Sequence, residues 1–205
     1  MADVEGTGYQ RSPAQRREVR RCALTLYDDT IPGLTFDEDG VCSLARDGQW
    51  RLQNEVFRGE TGRQRLSQWV ERMKSAGAGR DYDCVIGVSG GVDSSIVAVR
   101  VVQLGLRPLA LHLDNGWNID LAVSNIERLI NTLKIDLITH VVDWREIRDL
   151  QRAYIKASVM DLECVSDHAI NTLLYRTAHK MGIKHVIHGG NVSTESTMPS
   201  NWGYD

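Results

Sequence analysis

Apolar positions in the second half of the chain fall into short unbroken runs, separated by longer stretches in which they recur every three or four residues. The runs Cys84–Val88, Leu109–Leu113, Leu137–Val142 and His185–His188 are rich in Val, Leu and Ile, which predicts strands buried on both faces. Between them, residues 94–105, 120–134, 145–159 and 167–182 carry helical period, and the last ends at Gly182 as helix-stop chemistry requires. Strands alternating with helices predict an α/β fold, a doubly wound and mainly parallel sheet.

Upstream the pattern changes. Residues 1–20 are polar and lack period, so they read as a flexible arm. Between Cys22 and Gly48, short apolar stretches flank Asp39-Gly40, a turn dipeptide, which predicts a small hairpin. From Gln53 to Ala76, Val56, Leu66, Trp69, Val70 and Met73 share one face of a single amphipathic helix.

Composition narrows the class without choosing a function. The 205 residues are 42% hydrophobic and 25% charged, with a net charge of −3, values typical of a globular domain and not of a dedicated nucleic-acid binder. No secretory signal or membrane-length apolar run occurs, and four scattered cysteines do not make a disulfide framework. A cytoplasmic protein without membrane or nucleic-acid partners is the expectation, and a homo-oligomer is compatible with it.

Chemistry concentrates where the first strand meets its helix, in YDCVIGVSGGVDSS, residues 82–95. A turn at the carboxyl end of a parallel strand that opens a helix aims backbone N–H groups and the positive end of the helix dipole at one spot, which suits phosphate. Gly90 and Gly91 let the main chain approach an anion; Ser89, Ser94 and Ser95 supply hydroxyls, and Val92 opens the helix. A carboxylate at Asp93 would repel polyphosphate, so it suggests a magnesium ligand or a loop-orienting group. The turn has neither the GK[ST] ending of a Walker A loop nor the GxGxxG spacing of a dinucleotide fold.

SGGVDS after a hydrophobic strand resembles the PP-loop signature of ATP pyrophosphatases, which cleave ATP to AMP and pyrophosphate and thereby activate an oxygen of a second substrate. With GLRPLALHLDNGWN, DWREIRDLQRAYIKA and HGGNVSTESTMPSNWGY, the chain from Cys22 onward resembles the N-acetyl sugar amidotransferases of bacterial surface-polysaccharide synthesis. The resemblance implies ATP and Mg2+ as cofactors and a nucleotide-linked N-acetyl sugar as substrate. It places Ser89, Gly90, Gly91, Asp93 and Ser94 on the β and γ phosphates, and Asp114, Asn115 and Gly116 near the nucleoside. Gly189, Asn191 and Glu195 then approach from the same sheet edge. Asp167 and His168 also begin a helix there, although a helix-dipole role explains Asp167 equally well.

Two departures from the family stand out. The zinc knuckle with two CxxC pairs is reduced to Cys22 with Thr25 and Cys42 with Ala45, which does not support a tetrahedral zinc site. Residues 51–205 would then form the PP-loop domain without the family's C-terminal part. Position 2 is Ala and no glutaminase nucleophile motif is visible, so a separate glutaminase subunit is the expected ammonia source. A PP-loop tRNA thiolase, for which Cys164 is the best support, and a non-catalytic ATP-binding module are the alternatives. His112, His185 and His188 are read as packed neutral side chains, and Trp117, Trp144 and Trp202 as packing groups.

Overall fold

The computed structural model describes residues 18–159, 161–192, 195 and 197–199. Four parallel strands, β1 (Cys84–Gly87), β2 (Pro108–Asp114), β3 (Asp136–Val141) and β4 (Val186–Ile187), lie in the order β3-β2-β1-β4. Each parallel step is bridged by helix, with α3 (Val92–Gln103) after β1, α4 (Asp120–Leu133) after β2, and α5 (Trp144–Lys156) and α6 (Cys164–Lys180) after β3. The helices α1 (Ser43–Asn54) and α2 (Gly59–Ala76) precede the sheet. The expected α/β, doubly wound parallel architecture is therefore present. No helix among the described residues is long and apolar enough to cross a membrane.

Strand alternation separates the core into two layers. Cys84, Ile86 and Ala110 face one side with Val70 and Met73 of α2, Ala98 and Val101 of α3 and Ile126 of α4. Val85, Leu109 and Leu111 face the other with Leu174 and Ala178 of α6 and with Ile183. Period-2 pleating of short runs thus supplies apolar groups to both faces at once.

The third strand departs from the sequence reading. It forms an edge, and Ile138 and Val141 are 41% and 67% exposed, not buried. It pairs with β2 over Leu109↔Asp136 to Asp114↔Val141, and Leu137 packs against the core.

The N-terminal portion also differs. The expected turn exists as an antiparallel Phe36↔Cys42 bridge around Gly40, at φ +77°. A helix then starts at Ser43, capped by Cys42 Sγ accepting from Ala45 N at 3.4 Å. The helix expected over 53–76 starts only at Gly59, because residues 53 and 54 end α1 and Gly59 takes φ +65°, which an L-residue rarely adopts. At Gly182 the φ of +67° and the bond from Ile183 N to Ala178 O, 2.8 Å, form the expected stop of α6.

At the amino end of the sheet one ion pair joins the segments entering β1 and β2. Asp83, with a side chain 2% exposed, accepts from Arg107 Nη2 at 2.7 Å, Nε at 3.2 Å and the backbone N at 2.8 Å. Burial pushes the Asp83 carboxyl up, but the Arg107 hydrogen bonds and charge outweigh it, and the net direction is downward.

Candidate functional site

At the carboxyl end the polar groups are arranged around open space. Helix α3 begins at Val92 with Gly91 as its cap and no side chain bonding the first turn. Its first recurrent bond is Ser95 N to Gly91 O at 3.2 Å, so the N–H groups of Val92, Asp93 and Ser94 precede the helical ladder. Hydroxyls brace the turn from within. Ser94 Oγ accepts from Ser89 N at 3.2 Å and lies 3.1 Å from Ser89 Oγ, while Ser95 Oγ donates to Gly91 O at 2.7 Å.

Gly90 holds φ +76°, and a Cβ there would run into the backbone of Ala122 in α4. Asn125 of the same helix donates its Nδ2 to Gly90 O at 3.1 Å. The turn is thus walled by the helix of the following β-α unit. Gly189 meets it from the other side, where a Cβ would lie 3.3 Å from Asp93 Cβ and 3.4 Å from Ser94 N. The loops carrying Asp93 and Gly189 therefore adjoin.

The loop after β2 is set by its own side chains. Asp114 Oδ1 accepts from Gly116 N at 3.0 Å and from Asn118 Nδ2 at 3.0 Å. Asn115 Oδ1 accepts from Trp117 N at 3.1 Å, and its Nδ2 donates to the buried Ser166 Oγ at 3.2 Å, tying this loop to α6. Beyond β4, Glu195 Oε2 accepts from Asn191 N at 2.8 Å and Glu195 N donates to Asn191 O at 2.9 Å, which closes that loop on itself.

A cavity of about 270 Å³ lies among these elements, lined by Ser89 and Ser94 of the first turn, His112 of β2, Asn115 and Asn118 of the loop after it, His188, and the apolar Ile170, Leu173 and Leu174 of α6. Polar groups on one side and leucines on the other suit a ligand with a flat apolar body and hydrogen-bonding edges. Asp167, in the first turn of α6, has its carboxyl pushed up by burial and by Asp161 and Glu195, against the opposing effect of His168. Cys164 is buried, with Sγ 3.5 Å from His168 Nδ1.

Placement of the expected residues is accordingly uneven. Ser89, Ser94 and Asn115 line the cavity, whereas Gly90, Gly91, Val92, Asp93 and Ser95 form the adjoining turn, and Asp114 and Gly116 shape the second loop. Gly189 packs on Asp93, and Asn191 and Glu195 bond to each other. Trp117 packs edge-on against Trp144 with centroids 5.3 Å apart, and Trp202 lies outside the described residues. His112, Asn118 and Asn125 escaped the sequence reading as site residues. A histidine inside the apolar run LALHL was the visible signal for the first; nothing in the local pattern marks Asn125.

The knuckle region holds two thiols whose sulfurs accept hydrogen bonds. Cys22 Sγ accepts from Cys42 N at 3.2 Å and Leu24 N at 3.5 Å, and Cys42 Sγ sits 3.8 Å from Thr25 Oγ1. Burial raises the Cys22 thiol, but bonds from Thr25, Cys42 and Leu24 bring it down to about 6.

No family model matches the chain. No curated protein matches it either. Solved structures do. A glutamine-dependent NAD+ synthetase from Acinetobacter baumannii, in complex with ADP, superimposes with a TM-score of 0.50 at 17% identity, over 80% of this chain and 31% of that one. An NH3-dependent NAD synthetase from Campylobacter jejuni gives 0.44 at 20% identity, over 63% of this chain and 57% of that one. An NMN synthetase from Francisella tularensis gives 0.44 at 25% identity, over 63% and 53%. The chain thus spans between 31% and 57% of the length of these structures, and what they share with it is the fold.

Proposed function

We propose that the chain belongs to an ATP-using enzyme of the PP-loop class, holding the triphosphate on the turn Ser89–Ser95. The observation that carries this reading is the uncapped start of α3, braced by its own hydroxyls, walled by α4 and open to a cavity at the carboxyl end of a parallel sheet. A glycine at position 90 with φ +76° leaves the cradle free of a Cβ, which fits a group that must meet main-chain N–H donors directly. Mg2+, held by Asp93, would neutralise charge on the departing pyrophosphate.

Within that class the reading is the N-acetyl sugar amidotransferase reaction, supported by the resemblance of the four sequence runs. The amide oxygen of a nucleotide-linked N-acetyl sugar attacks the α-phosphorus of ATP and pyrophosphate leaves. Ammonia then attacks the resulting imidate carbon, AMP departs with the original amide oxygen, and an acetamidino group remains. The residues here orient and stabilise, with the Val92–Ser94 N–H groups facing the developing negative charge. Ammonia comes from a separate glutaminase.

ATP–pyrophosphate exchange, measured with a panel of nucleotide-linked N-acetyl sugars, tests the reading. Exchange that requires one of the sugars supports it. Exchange stimulated by tRNA and not by any sugar would move the chain to thiolation chemistry, and ATP binding with no exchange would leave a nucleotide-binding module.

A further inference from the structure

One buried side chain stands between the two loops that the proposed reading assigns to phosphate and nucleoside. His112, in β2, is 8% exposed, and both of its ring nitrogens are engaged. Nδ1 lies 2.9 Å from Val88 O, and Nε2 lies 3.2 Å from Asn118 Nδ2. A carbonyl can only accept, so Nδ1 carries the proton and Nε2 presents a lone pair to the Asn118 amide. The same amide donates to Asp114 Oδ1 at 3.0 Å. Turned over, its oxygen would face a lone pair and a carboxylate, so the partners fix its orientation.

The bonds form a continuous path. It starts at Val88, the residue before Ser89, passes through the imidazole and Asn118, and ends at the carboxylate that shapes the turn at Gly116. An apolar side chain of the same volume would fill the strand position but break both ends of this path.

We infer that His112 is a positioning residue that sets the phosphate turn and the 114–118 loop in one register, so that filling either half of the cleft tightens the other. The inference rests on the ATP reading above and adds to it that the two half-sites are energetically coupled. Such coupling is reciprocal, with each ligand changing the other's affinity by one common factor.

Calorimetric titrations with Mg2+-pyrophosphate and adenosine, each alone and each with the other present, test it on the wild type, His112→Asn and Asn118→Ala. Asparagine at 112 can still donate to Val88 O but cannot reach Asn118, and Asn118→Ala removes the far arm from a less buried position. The readout is the ratio of affinities with and without the second ligand, not affinity itself, so a merely structural loss does not move it. We expect roughly five- to tenfold mutual tightening in the wild type, a ratio near one in both variants, and no further change in the double variant. Tightening that survives in either variant overturns the proposal, as does wild-type binding of ATP without any tightening between its fragments. Wild-type protein that binds neither ATP nor the fragments removes the reading of the cleft itself, and the role of His112 with it.

Discussion

The two ends of the same sheet handle charge in opposite ways. At the amino end, Asp83 is buried and meets Arg107 through three hydrogen bonds, so the donors and acceptors there are spent on one another. At the carboxyl end, α3 begins with no side-chain cap and Ser89, Asn115 and His188 line a cavity. The strands are common to both ends; what differs is whether the bonded polar groups are packed against one another or line a cavity. If the cavity takes the proposed nucleotide, substitutions at the two ends should separate stability from binding.

The largest expected effect is at Asp93. Asp93→Asn should lower ATP–pyrophosphate exchange by roughly 10³-fold, the scale of losing a metal-assisted charge stabilisation, while the melting temperature stays within a degree or two. An unchanged exchange rate would take Asp93 out of the chemistry. Next comes Gly90→Ala, which adds a Cβ against the Ala122 backbone at a φ of +76°. Left-handed strain and the displaced wall should together weaken ATP binding about 10- to 100-fold, read by calorimetry; full affinity would show that the turn is not the cradle.

Substitution at the amino end should invert this pattern. Arg107→Met strands the Asp83 carboxylate, and the melting temperature should fall by about 5 °C with ATP affinity retained. The pH dependence has a definite sign. Because the folded Asp83 carboxyl lies below its ordinary value of 3.8, its contribution is present above that value and is lost as acid protonates it in the fold. In Arg107→Met this acid-sensitive portion should be missing from a denaturation series between about pH 5 and 2.

The smallest effect belongs to the thiols, outside both ends. With Cys22 brought from 9.0 to about 6, its contribution to stability should be full above pH 9 and decline as pH falls toward 6. Cys22→Ser should flatten that slope, and an unaltered slope would assign it to other groups.

How much of this was legible depends on where the determinants sit. The strands at 84–87 and 108–114, the turn between β1 and α3 and the stop at Gly182 rest on local cues, and local pattern reading found them. The start of α1 rests on Cys42 acting as a cap through sulfur, a residue type that does not normally signal a helix start. The break between α1 and α2 was masked because Val56 continues the apolar stripe across it, although Gly59 was a usable warning. Exposure of β3 could not be read locally at all, since whether an apolar run is central or at an edge is decided by which strands pair. In the cleft, the SGGVDS turn was visible as a motif, but its supports at His112 and Asn125 come from a strand and a helix that sequence reading had assigned to packing, and Asn118 from a loop read only as far as Gly116.

The contact of Asn125 and Ala122 with Gly90 has a consequence for how such motifs should be transplanted. A peptide copied from residues 82–105 would contain every letter of the signature and still lack one side of the mould, because that side is contributed from more than thirty residues later in the chain. Grafting the pocket onto another scaffold would require two consecutive β-α units, with the second helix leaning on the first turn.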